Sequence, residues 1–98
     1  MASSLSHNLG SVGGTRIKMS PTADGTWSVA ILTIQNNSTT DTVYIGDATV
    51  SAASHGYVLA PGTTNAKNSV VLHITSNDVV YAVSSGTTTP LPVITQKR

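Results

Sequence analysis

Thr26-Trp27-Ser28-Val29-Ala30-Ile31-Leu32-Thr33-Ile34-Gln35 is the stretch on which the fold turns. Val, Ile and Thr are stiff at χ1 and fit a pleated surface, so the segment reads as a strand. Successive side chains of a strand point to opposite faces. Trp27, Val29 and Ile31 therefore share one face, and Ala30, Leu32 and Ile34 share the other. With both faces apolar, the strand belongs in the middle of a sheet, or has its second face covered by a partner.

Reading outward, residues 15–19 alternate polar and apolar and form a short strand. Pro21 to Gly25 is a turn, with Asp24-Gly25 a good hairpin dipeptide. Downstream, strands are expected at 42–45, 57–60, 69–75, 79–83 and 91–95. Polar loops and the turn signals Gly46-Asp47, Pro61-Gly62 and Ser76-Asn77-Asp78 separate them. Val70, Leu72 and Ile74 share a face, as do Val79, Tyr81 and Val83. Pro90 and Pro92 mark the last strand as an edge, because proline cannot donate to a ladder. Residues 1–14 are Ser/Gly-rich with Leu5, Leu9 and Val12 as isolated apolar anchors. They read as an extended arm or a weak first strand.

The expectation is one all-β unit: a compact β-sandwich, Ig-like or jelly-roll-like, over residues 15–98. It has about seven or eight short antiparallel strands, preceded by an N-terminal arm at 1–14.

The 98 residues are 39% hydrophobic, without Phe and with a single Trp, so Val, Ile, Leu and Ala must build the core. Only 9% are charged, against about 25% in an ordinary domain. Solubility falls to Ser, Thr and Asn, which suits a surface docked in an assembly better than one free in solution. The net charge of +1 comes from scattered basic residues. Nucleic-acid binding wants a basic stripe with stacking aromatics, so no nucleic-acid partner is expected. Cysteine is absent, so either the fold needs no staples or partners supply the missing stability. Residues 1–7 lack a basic region followed by an apolar run, and no stretch approaches the ~20 apolar residues of a membrane span. The expectations are synthesis in a cytoplasm, no export by the usual route and no membrane partner.

Catalysis needs a nucleophile, a base and an orienting group. His7 lies in the arm, His55 beside Gly56 in a loop, and His73 on the face opposite Leu72 and Ile74. Each reads as a solvent or interface histidine. Ser54, His55 and Asp47 can be assembled into a nominal triad, but no Gly-x-Ser-x-Gly elbow supports it. Asp24, Asp41, Asp47 and Asp78 all sit in turns, where Asp bonds nearby backbone, so no metal site is expected. Gly10-Ser11-Val12-Gly13-Gly14 lacks the Gly-Lys-Ser/Thr that grips phosphate. Trp27, Tyr44, Tyr57 and Tyr81 read as core aromatics; an exposed pair would stack on sugar rings. No enzyme activity and no cofactor are expected.

One order of motifs stands out. Val43-Tyr44-Ile45-Gly46 leads through Val50 to Gly56-Tyr57-Val58-Leu59-Ala60-Pro61-Gly62, then to an apolar strand at 70–74 and Val80-Tyr81-Ala82-Val83-Ser84-Ser85-Gly86. This order, over a little under half of the chain, resembles small bacteriophage virion structural proteins: capsid decoration or cement proteins and related head or tail β-sandwich modules. The resemblance implies a protein of the virion that binds and stabilises the assembled head. It implies the major capsid protein or other virion proteins as partners, and a homo-oligomer, with a trimer the expected state. The absence of a repeat stalk favours decoration over a fibre. A tail or fibre component attaching to host glycans is the second expectation. Leu5, Leu9 and Val12 are the expected partner contacts, reached by strand addition.

Overall fold

In the computed structural model, which describes residues 4–98, eight strands form two four-stranded antiparallel sheets, and the described residues contain no helix. The strands are β1 (Ser4–Val12), β2 (Ile17–Lys18), β3 (Val29–Asn36), β4 (Val43–Gly46), β5 (Tyr57–Leu59), β6 (Asn68–Thr75), β7 (Tyr81–Ser84) and β8 (Thr89–Lys97). The first sheet runs β1-β8-β3-β6 and the second β2-β7-β4-β5. The arrangement is sandwich-like, as the patterning requires.

Alternation along β3 decides what lies between the sheets. Ala30, Leu32, Ile34 and Asn36 are buried, while Val29, Ile31, Thr33 and Gln35 are not. The same parity runs through β8, where Leu91 and Val93 are buried, and through β6, where Ile74 is buried and Val70 and Leu72 pack on the core. From the second sheet come Val43, Ile45, Leu59 and Ala82. Each Val, Leu or Ile among them contributes roughly 1.5–3 kcal/mol by leaving water, and each Ala less. With no Phe to fill it, this aliphatic core is completed by Trp27. Its ring is 4% exposed and its Nε1–H donates to the Thr22 carbonyl at 2.8 Å.

Three local readings are corrected. Trp27 does not share the outer face with Val29 and Ile31. β3 begins only at Val29, so alternation does not extend back to Trp27, which sits in the core. Asp24-Gly25 does make a turn: Gly25 has φ +84°, and the Asp24 carboxylate accepts from the Thr26 amide at 3.0 Å. The turn is not a hairpin, however, because β2 pairs with β7 in the second sheet and β3 with β6 and β8 in the first. Nor is β8 an edge; it lies between β1 and β3. Its ladder with β3 stops at Ile34↔Val93, just before Pro92. Beyond that point Pro90 offers its carbonyl to the Asn37 amide at 3.1 Å. In an antiparallel strand a residue's N–H and C=O point the same way. The prolines therefore turn their missing donors to the β3 side at positions past the end of the β3–β8 ladder, and an interior strand tolerates them.

Of residues 1–14, expected as an arm or weak first strand, residues 4–12 run along β8 in continuous register from Ser4↔Lys97 to Val12↔Thr89, and residues 1–3 lie outside the described ones. After Val12 the chain crosses between sheets, and the Gly13 carbonyl accepts from the Ser84 amide of β7 at 2.9 Å.

Candidate interaction face and polar clusters

Parity places β3, β6, β8 and β1 residues of one set on the outer face of the first sheet. The pairings lay them out in rows. Val71, Thr33, Ile94 and His7 form one row, and His73, Ile31, Gln96 and Leu5 the next, with Val29 beside Thr75 beyond. Leu5 is 70% exposed, Val71 53%, Ile94 47% and Val29 46%. Strands lie about 4.8 Å apart, so four of them make a surface roughly 14 Å wide across. Two shallow depressions mark it. One, of about 370 Å³, is lined by Val29, Ile31, His73, Thr75, Gln96 and Arg98 among others. The other, of about 150 Å³, is lined by Thr33, Gln35, Ser69, Pro92 and Ile94. Within the four strands, the outward positions carry no Asp, Glu, Lys or Arg.

Of the three expected contact residues, Leu5 stands on this face. Val12, at 1% exposure, belongs to the core cluster. Leu9 is opposite Pro92 in the ladder, and its side chain lies outside the described ones.

The second sheet's outer face is not bare. Tyr44 pairs with Val83 on it, and the segment 47–55 folds over them. The His55 ring packs 5.0 Å from the Tyr44 ring. Val50 and Val83 are buried apart from the main cluster.

At one end of the sandwich, buried polar groups join the sheets. Asn36 is fully buried. Its Nδ2 donates to the carbonyls of Asp41 and Leu59, both at 2.9 Å, and of Ala60 at 3.3 Å, while its Oδ1 accepts from the Ser38 amide at 3.0 Å. Beside it, Thr89 Oγ1 donates to Asp41 Oδ2 at 2.9 Å and meets Ser84 Oγ. Ser84 Oγ also accepts from the Gly86 amide at 3.0 Å. A Cβ at Gly86 would collide with the Asp41 carboxylate, so glycine lets the loop pass close to it. Every buried side-chain polar atom described has a partner.

The remaining titratable residues fall into separate places. His7 and His73 are exposed on the first sheet. Asp78 Oδ2 accepts from the Thr75 amide at 2.7 Å. The Thr26 hydroxyl, then the Thr26 amide, hold the exposed Asp24 carboxyl below its ordinary range; the Thr49 hydroxyl and amide do the same for Asp47. Ser54, His55 and Asp47 do line one depression of about 270 Å³. No hydrogen bond connects them among the described residues: Asp47 Oδ1 accepts from Thr49, and His55 Nδ1 lies 3.2 Å from the Ser51 carbonyl. Among the described residues no three His, Asp or Glu side chains gather as a metal site would need.

No protein-family model matches this chain, and no curated protein matches it.

Proposed function

We propose that this chain is a structural protein of a bacteriophage particle, a capsid decoration or cement protein that binds the assembled head through the outer face of its β1-β8-β3-β6 sheet. The observation that supports this reading is the set of exposed Leu5, Val29, Val71 and Ile94 on one face, whose strand positions carry no Asp, Glu, Lys or Arg, with Arg98 just past the end of β8. Exposed apolar residues that are contiguous, unlike single scattered ones, mark interaction surfaces. Charge depletion with aliphatic contact is the character of an interface centre.

The role follows from linkage. A protein that binds the closed lattice and not its separate parts stabilises the lattice by mass action. Repeated copies on equivalent positions turn a modest contact into strong avidity, more so as a homotrimer, the state proposed here. The test is cosedimentation with empty heads and with unassembled capsid protein. The protein is expected to pellet with heads and to stay in solution with the subunits. Equal binding to both, or binding to neither, contradicts the proposal.

A further inference from the structure

We propose that the groove between the 14–16 segment, the outer face of the second sheet and the 50–52 loop binds an acidic sugar, a pyranose carrying a carboxylate, through the Arg16 guanidinium. This site lies on the opposite sheet from the docking face and does not depend on the role assigned to that face.

The groove has a volume of about 440 Å³ and is lined by Thr15, Arg16, Tyr44, Ser51, Val83 and Ser85 among others. That volume lies within the roughly 300–1,000 Å³ of small-ligand sites. Its donors are arranged by the fold. Arg16 Nε donates to the Val50 carbonyl at 2.6 Å, which fixes the plane of the guanidinium. No acceptor among the described residues meets its Nη1 or Nη2, the pair suited to a bidentate carboxylate. Ser51 Oγ accepts from the Ala53 amide at 3.2 Å and the Ser54 amide at 3.1 Å. A hydroxyl has two lone pairs and one proton, so Ser51 has only its proton left to give. Ser85 Oγ accepts from the Thr42 amide at 2.9 Å and likewise keeps its proton.

The result is a pocket rich in unused donors with a single fixed cation. No hydrogen bond joins Arg16 to an acid among the described residues; Asp47 Oδ1 accepts from Thr49. Half-buried Tyr44 supplies the apolar wall, with Val50 and Val83 almost wholly buried beside it. A pyranose presents an apolar ring face and a rim of hydroxyls, and a carboxylate on that rim completes the match to Arg16. A small inorganic anion would use the guanidinium and leave the wall empty.

The test titrates the ¹⁵N-labelled protein with sodium glucuronate, its methyl ester, glucose and inorganic phosphate. Glucuronate is expected to shift the amides of Thr15, Ser51 and Ser85 saturably. The methyl ester and glucose are expected to bind at least about tenfold more weakly, because the bidentate charge-assisted contact is gone. Arg16→Gln is expected to weaken glucuronate by a similar factor in a protein that still unfolds in one cooperative thermal transition. Absence of saturable shifts at these amides, or equal binding of the methyl ester, overturns the proposal without reliance on any variant. Phosphate binding as tightly as glucuronate overturns the assignment to a sugar.

Discussion

At the scale of single residues, the fully buried Asn36 is a polar tie at the end of the core. Its amide reaches carbonyls of the 41 and 59–60 segments, so it ties the end of β3 to the second sheet. Asn36→Leu is nearly isosteric but takes the amide donor from the Asp41 and Leu59 carbonyls, while the Ala60 carbonyl keeps Asn68 Nδ2 at 2.8 Å. A loss of about 1–3 kcal/mol per orphaned group is expected in chemical denaturation; an unchanged midpoint would show the amide to be dispensable. Asp24 and Asp47 make a pH prediction. Their folded carboxyl pKa values lie below the ordinary 3.8, because Thr26 and Thr49 hydrogen bonds favour the charged form. A depressed folded value gives stability that is present above 3.8 and is lost as pH falls through the folded value. Side-chain carboxyl titrations by NMR should give midpoints below 3.8 for both, and Asp24→Asn should flatten part of the acid limb. Midpoints at or above 3.8 would contradict the hydrogen bonding described.

At the scale of elements, the two faces of a strand separate stability from binding. Leu32 is fully buried on the inner face of β3, and Leu32→Ala should cost about 2–5 kcal/mol. Val71→Lys and Ile94→Lys lie on the outer face and should change stability by less than about 1 kcal/mol. Thermal unfolding of the three variants checks this; equal losses would mean that the outer face is covered within the monomer. The parity that makes these predictions was legible in the sequence. Ala30, Leu32 and Ile34 face inward together, and Val70, Leu72 and Ile74 lie beside them on the same inner face of the sheet. The same parity separates Leu5 from Val12, an odd from an even position on one strand, although isolated anchors in a Gly/Ser setting obscure it. Proline misleads at β8, because its edge signal is a statement about one hydrogen-bonding side over two residues. It says nothing of the rest of a nine-residue strand.

At the scale of the whole molecule, the chain passes between sheets at nearly every connection; β4 and β5 are the sole consecutive strands that pair. A turn dipeptide such as Asp24-Gly25 records that the chain reverses, and carries no sign of whether the next strand joins the same sheet. Strand order therefore stayed out of reach of local pattern, while strand positions did not. The candidate surfaces divide in the same way. The proposed docking face is the outward half of an alternation, so Val29 and Ile31 were visible as apolar residues in need of cover. The groove at Arg16 draws on segments around 16, 44, 51 and 85, each unremarkable alone, and arises only when β2, β4 and β7 are brought side by side.

The claim on which the functional account rests is that the outer face of the β1-β8-β3-β6 sheet is the surface that docks. It is tested most directly by cosedimenting the Val71→Lys/Ile94→Lys double variant and the unaltered protein with empty phage heads, after thermal unfolding has established that both are folded. The account predicts that the unaltered protein pellets with the heads and the folded double variant remains in the supernatant. Equal pelleting of the two proteins would contradict it.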